Sequence, residues 1–158
     1  MVEPIDITQL QQRVTKHPNV AAAGSMLDKI QLLSVTGLQG SSRALFAVGL
    51  FQKLPRTYLY ILNDAESAGY FYHDVTQIIG TAQVLFFPSA YKRAAKYGQI
   101  DAANQVLRTE VLTRLQDEGE PLLIVSYPDA LSEKTVSGEQ LKESMLKLSA
   151  GEKVDPGF

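Results

Sequence analysis

The spacing of apolar residues along the chain predicts alternating strands and helices. Compact apolar runs typical of strands cover residues 30–36, 57–62, 83–88 and 121–126. Helical spacing with a capping residue or a closing glycine covers residues 41–54, 67–79 and 101–119, and two shorter helical patterns cover 7–16 and 18–28. Almost continuously apolar strands separated by helices of this length indicate an α/β fold, with a mainly parallel sheet between helices on both faces.

The last part of the chain has a different character. From Glu133 onward the sequence is polar, with a short helical pattern at 137–144 and then an alternating pattern that starts at Met145 and stops in a Pro-Gly turn. A strand that starts without an evident partner suggests that the chain is part of a longer protein. We therefore expect a helical segment at 1–30 that packs on an α/β lobe at 31–144, and the truncated beginning of another domain at 145–158.

Composition narrows the possible chemistry. The chain has 158 residues, of which 45% are hydrophobic and 20% charged, enough for one compact domain with its own core. Its net charge of -2 gives no overall attraction for a nucleic acid. The absence of cysteine excludes disulfides, thiolate nucleophiles and cysteine-ligated metals, and the two histidines, His17 and His73, lack metal-ligand spacing. We therefore expect no metal site.

The ends and the apolar runs give no sign of export or of membrane insertion. The first twelve residues are acidic and lack the basic segment and apolar core of a signal peptide. The longest apolar run, residues 44–51, is far shorter than a bilayer span requires. We expect a cytoplasmic protein with no membrane segment.

The stretch "SVTGLQGSSRALF", residues 34–46, lies between the first predicted strand and the helix that comes after it. This is the position of a phosphate-binding loop with the pattern G-x-x-x-x-G-K-[ST]. With Gly37 in the first position, Ser42 stands where glycine belongs, Arg43 where lysine belongs and Ala44 where the metal-binding hydroxyl belongs. An arginine fork is a poor substitute for a compact ammonium, and alanine has no oxygen for Mg²⁺.

We therefore interpret this segment as a degenerate phosphate loop that keeps the shape of a nucleotide site without its chemistry. Its residues are Gly37, Gly40, Ser41, Ser42, Arg43 and Ala44. ATP binding, a cofactor and catalysis by this chain are not expected. Two readings of the helix start stay open: the N–H groups of Ser41, Ser42 and Arg43 are free and bind anions weakly, or the two serines only cap the helix.

Two other segments are candidate sites. Asp64 comes after the second predicted strand, where a dinucleotide-binding protein has its ribose-binding acid, but Gln39 occupies a position that G-x-G-x-x-G requires to be glycine, so Asp64 is interpreted as a helix cap. The connection after the third strand mixes aromatic and basic residues, as single-stranded nucleic acids favour. Its members are Tyr91, Lys92, Arg93, Lys96 and Tyr97. The alternative is an ordinary solvated loop.

Four blocks together carry a family resemblance. They are "LQGSSRALF", "ILNDAESAGYFYHDV", "VLFFPSAYKRAAKYGQIDAANQVLRTEVLTRL" and "PLLIVSYPDAL", at 38–46, 61–75, 84–115 and 121–131. In this order they resemble the N-terminal region of the bacterial transcription-repair coupling factor. That region is similar in fold to the first domain of the B subunit of the nucleotide-excision nuclease, with a degenerate phosphate loop.

The resemblance implies a three-layer αβα lobe of the P-loop NTPase (RecA-like) type that is not itself an enzyme. It implies a scaffold role in transcription-coupled nucleotide-excision repair, next to a domain that recruits the nuclease's A subunit, and a part in autoinhibition. The ATP-driven DNA translocase motor of the family lies C-terminal to this region. Partners would be the other domains of the parent chain, the A subunit mainly through the following domain, and RNA polymerase and DNA through the parent protein.

Overall fold

The structure, a computed structural model, describes residues 6–91, 100–117 and 119–136. These residues form helices and short strands in alternation after an N-terminal helical pair. In chain order the elements are α1 (Ile7–Thr15), α2 (Pro18–Leu27), α3 (Ser42–Lys53), β1 (Tyr58–Ile61), α4 (Ala65–Ile79), β2 (Val84–Phe86), α5 (Ala102–Arg114), β3 (Leu123–Ser126) and α6 (Pro128–Ser132).

The strands form one parallel sheet in the order β1-β3-β2. The last strand in the chain is therefore the central one, and β1 and β2 flank it. All four side chains of β3 are buried, including Ser126, whose hydroxyl donates to the carbonyl of Phe87 at 2.8 Å. The prediction of an α/β fold with a parallel sheet is confirmed for this three-stranded sheet.

Helices cover the two faces of the sheet unequally. On one face, the ring of Tyr60 in β1 packs against Phe71 of α4, and the ring of Phe86 in β2 packs against Tyr72 of α4. On the other face, the guanidinium of Arg108 in α5 lies 4.1 Å from the ring centre of Phe87. The first face is covered as far as β1. On the second face α5 packs against β2, whereas Leu59 and Ile61 of β1 are exposed.

The sequence indicated side-chain caps at the starts of α3, α4 and α5, and the structure has them at α4 and α5. The carboxylate of Asp64 accepts from the N–H of Ser67 at 2.7 Å, and that of Asp101 accepts from the N–H of Ala103 at 3.0 Å. Each bond satisfies a helix N–H that would otherwise lack a partner. Gly80 ends α4 with a φ of 79°, which suits a residue without a β-carbon.

The first predicted strand, residues 30–36, is wrong. The segment is an irregular connection between α2 and α3, and no strand pairs with it among the described residues. Its apolar side chains are largely exposed, with Leu32 at 86%. An apolar run becomes a strand only if a neighbouring strand shares its backbone hydrogen bonds, and among the described residues this run pairs with neither β1 nor β2, the two outer strands of the sheet.

None of the helices in the described ranges has the length and apolar character needed to cross a membrane. The boundaries proposed at residues 30 and 144 stay predictions, and residues 145–158 lie outside the described part of the chain.

Truncating two leucines tests where the core lies. Leu123 is fully buried in the central strand, whereas Leu32 is exposed in the connection that lacks a strand. We expect Leu123→Ala to lower the free energy of unfolding by about 3 kcal/mol through lost burial and a new cavity. Leu32→Ala should change it by less than about 0.5 kcal/mol. Urea unfolding measures both, and a comparable loss in the two variants would contradict the irregular state of residues 30–36.

A second test concerns the buried tyrosine of β1. Burial raises the pKa of Tyr60 above that of a free tyrosine. The folded protein therefore holds this proton more tightly than the unfolded chain, so the contribution to stability is complete below a pH of about 10 and is lost as the pH rises further. Tyr60→Phe should weaken the alkaline loss of stability between about pH 10 and 11, measured by urea unfolding. The control is Tyr70→Phe, which removes a hydroxyl from a residue that is 67% exposed, and an unaltered pH profile in Tyr60→Phe would refute the assignment.

Candidate functional site at the glycine-bearing loop

The loop that the sequence marks as a phosphate site turns through two glycines. Gly37 has a φ of 84° and Gly40 a φ of 51°, both in the left-handed region where a side chain is strained. The loop enters α3, as predicted. The expected strand in front of it is absent from the described structure, so the strand-loop-helix setting of a phosphate loop is not formed here.

Ser42 closes the loop on itself. Its hydroxyl donates to the carbonyl of Gln39 at 2.6 Å and accepts from the N–H of Gln39 at 2.8 Å. Its own N–H also donates to the Gln39 carbonyl, at 3.2 Å. A glycine at position 42 could make only the last of these bonds, so the serine hydroxyl gives the loop an internal tether that the consensus glycine could not.

The N–H groups at the start of α3 are largely committed. The N–H of Arg43 donates to the carbonyl of Gly40 at 3.2 Å, which adds to the bond made by the N–H of Ser42. The expectation of free N–H groups at Ser41, Ser42 and Arg43 is therefore wrong for Ser42 and Arg43, because the tight turn before the helix provides these two with carbonyl partners. Capping by serine is also wrong in detail: Ser41 makes no side-chain cap, and Ser42 bonds within the loop.

The side chains of Arg43 and Ala44 lie in different surroundings. The guanidinium of Arg43 is exposed, and its Nε donates to the carbonyl of Leu38 at 3.4 Å, a long bond. Ala44 is 1% exposed and belongs to the hydrophobic core cluster. Position 44 therefore supplies packing, and it has neither the oxygen nor the solvent access that Mg²⁺ coordination requires.

A cavity of about 380 Å³ lies between the loop, the end of β1 and the first turns of α4. Its lining includes Arg43 and Asp74, whose formal charges of +1 and -1 cancel, with Ser67 and Tyr70 as polar neighbours. A triphosphate requires a net excess of positive charge or a metal. The described lining provides hydrogen-bonding groups without that excess.

The other residues considered for a metal or a nucleotide are the two histidines and Asp64. No group of three or more histidine, cysteine or acidic residues that could hold a metal occurs in residues 6–91, 100–117 and 119–136. His17 instead caps α2, accepting from the N–H of Asn19 at 3.2 Å, and His73 is exposed on α4. The acid considered for dinucleotide binding, Asp64, caps α4 as predicted.

Most of the basic and aromatic connection lies outside the described residues. Tyr91 is 47% exposed and forms an isolated antiparallel bridge with Ile100, which brings the two ends of the connection together. The other members, Lys92, Arg93, Lys96 and Tyr97, are not among the described residues. Binding of single-stranded nucleic acid at this connection stays a prediction.

A buried ionic network next to this connection was missed from the sequence. Arg108 is 6% exposed, donates to the carbonyls of Pro88 and Ala130 at 2.8 and 3.0 Å, and lies 3.3 Å from the carboxylate of Glu133. Glu133 also accepts from the N–H of Ala90 at 2.8 Å and from the hydroxyl of Ser89. The network joins α5, the segment after β2 and the end of α6.

One signal for this network was present in the sequence. Arg108 lies four residues after Asn104 and three before Val111, on the side of α5 that faces the sheet. A charged residue on a buried helical stripe requires a partner. The partner, Glu133, is 25 positions later in a polar segment, and only the fold brings the two together.

The comparisons leave the family open. No family model matches the chain, and no curated protein matches it.

The Arg108 network can be tested for its contribution to stability. Arg108→Met should lower the free energy of unfolding by about 3 kcal/mol, because it leaves the largely buried Glu133 carboxylate without its cation. The matched control is Arg114→Met, whose partner Glu120 is 74% exposed, with an expected cost below about 1 kcal/mol. Chemical unfolding measures the free energy of unfolding of both variants. Equal losses would show that the buried ion pair stabilises the fold no more than the exposed one does.

Proposed function

We propose that this chain is the non-catalytic N-terminal scaffold lobe of a transcription-repair coupling factor. In this proposal the lobe is an α/β domain of the P-loop NTPase (RecA-like) type whose nucleotide site has degenerated. It acts in the cytoplasm in transcription-coupled nucleotide-excision repair. It supports the neighbouring domain that recruits the A subunit of the excision nuclease, and it takes part in autoinhibition of the parent protein.

The observation that carries the proposal is the self-closed loop. The hydroxyl of Ser42 bonds both the backbone N–H and the backbone carbonyl of Gln39, and Ala44 is part of the core. To bind a phosphate, the loop would have to break the hydrogen bonds between Ser42 and Gln39. To bind Mg²⁺, it would need an oxygen ligand in place of the buried Ala44. Both features suit a segment retained for packing.

The rest of the lobe fits a role in binding between protein domains. Its sheet is small and open at the outer edge of β1, and apolar side chains stand exposed along that strand. Surfaces of this kind are usually buried against other protein segments. In the proposal the unpaired outer edge of β1 belongs to contacts with further domains of the parent chain, whose translocase motor and contacts with RNA polymerase and DNA lie elsewhere in that protein.

Nucleotide binding by the purified chain tests the inert loop. Calorimetry with Mg-ATP should show no saturable binding, with any Kd weaker than about 1 mM. The matched control is Arg43→Ala, which removes the guanidinium that lines the cavity and should give the same trace. Micromolar binding by the unaltered chain that is lost in Arg43→Ala would refute the inert loop.

A cellular experiment tests the repair role separately. Disrupting the gene should abolish the preferential repair of ultraviolet lesions in the transcribed strand, read as strand-specific lesion removal. Restoring the gene with Arg43→Ala should bring the preference back fully, because the loop does no chemistry. An undiminished preference after disruption would refute the coupling role, whereas failure of Arg43→Ala alone would refute only the inert loop.

A further inference from the structure

One half of a sheet face lacks a covering element among the described residues. The register pairs Leu59 with Ile124, and Ile124 in turn with Leu85, so these three side chains lie in one row on one face. Ile124 and Leu85 are each 4% exposed, whereas Leu59 is 50% exposed and Ile61, two residues further along β1, is 56% exposed. We call Leu59 and Ile61 the open face of β1.

The position of α5 explains this difference. Arg108 of α5 stacks on the Phe87 ring, which extends the β2 side of the same face. Arg114 donates to the carbonyl of Ala82, just before β2, and Glu110 raises the pKa of Tyr72 together with burial, which is the larger cause. These contacts place the Glu110 and Arg114 side of α5 at the outer edge of β2, so the opposite side of the helix looks towards β1.

The chain leaves α6 along that opposite side. A cavity of about 290 Å³ is bounded by Gln105, Thr109 and Leu112 of α5 and by the segment from Glu133 to Val136. On a helical wheel these three α5 residues lie opposite Glu110 and Arg114. Glu133 is fixed there by Arg108 and by the N–H of Ala90. Val136, the last described residue, therefore lies on the side of α5 that looks towards β1.

The next residues in the chain have a suitable composition. Within residues 137–150 the large apolar side chains are Leu141, Met145, Leu146 and Leu148, and the others are mainly polar, charged or small. Strands are spaced about 4.8 Å apart, so β1 lies roughly 10 Å across the sheet from β2. A helix at 137–144, as the sequence pattern predicts, would be about 12 Å long, which is comparable to that separation.

We propose that residues 137–150 of this chain dock their apolar side chains on the open face of β1, next to α5. Three observations support this docking: the exposure of Leu59 and Ile61, the path of the chain at Val136 and the composition of the segment. None of them depends on the proposed function. The segment completes the layer that α5 covers only in part. The lobe thereby extends past Val136, and the remainder of the chain is anchored to the sheet edge.

Engineered thiols test the docking in the complete chain, which has no cysteine of its own. We expect Ile61→Cys combined with Met145→Cys to form an intramolecular disulfide under mild oxidation. The matched control is Val106→Cys with Met145→Cys, since Val106 is 67% exposed on the outer side of α5. The effective concentration of the first pair should be at least about tenfold higher, or about 1.4 kcal/mol.

Two results of this experiment would overturn the proposal. Equal disulfide formation in the two pairs would mean that the segment has no preference for the open face. Predominantly intermolecular products would mean that a second copy of the chain covers that face instead.

Thiol labelling supplies a second measurement that needs no disulfide. Ile61→Cys should react with a maleimide about tenfold more slowly in the otherwise unaltered chain than in a chain that also carries Leu141→Asp and Met145→Asp. Val106→Cys should react at the same rate in both backgrounds. If the aspartates leave the rate at position 61 unchanged, the open face is not covered by this segment.

Discussion

The burial of β3 on both faces is the constraint on which the other elements depend. This strand supplies the only shared pairing partner for β1 and β2 within the described residues, and its four side chains are all buried. Helices must therefore lie on both sides of it, and α4 and α5 do so. The one polar side chain in the strand, Ser126, is tolerated because the Phe87 carbonyl accepts its hydrogen bond.

This arrangement explains why the glycine-bearing loop lacks the strand-loop-helix setting of a phosphate loop in the described structure. A phosphate loop needs a strand that aims the chain at the ligand, and the apolar residues before Gly37 do not pair with the sheet. The loop is instead held by its own hydrogen bonds through Ser42 and by the burial of Ala44 at the start of α3. The described loop therefore has neither the preceding strand nor the consensus side chains of a phosphate loop.

The Arg108 and Glu133 pair has a comparable role at the segment after β2. A buried ion pair gains little net free energy, but it specifies a unique arrangement because either partner alone is costly. Here it fixes the segment after β2 and the exit of α6 on the same side of α5. That contact thereby sets where the chain leaves α6.

The sequence by itself determined the local features: helices α1 to α5, the caps at Asp64 and Asp101, the three paired strands, and the departure from the phosphate-loop pattern at Ser42, Arg43 and Ala44. These depend on neighbouring residues and on apolar periodicity. Only the tertiary structure decided the strand order, the failure of residues 30–36 to pair, the committed N–H groups of the loop and the partner of Arg108. Each of these depends on which distant groups meet, because a backbone edge, a carbonyl or a carboxylate acts only where the fold brings it.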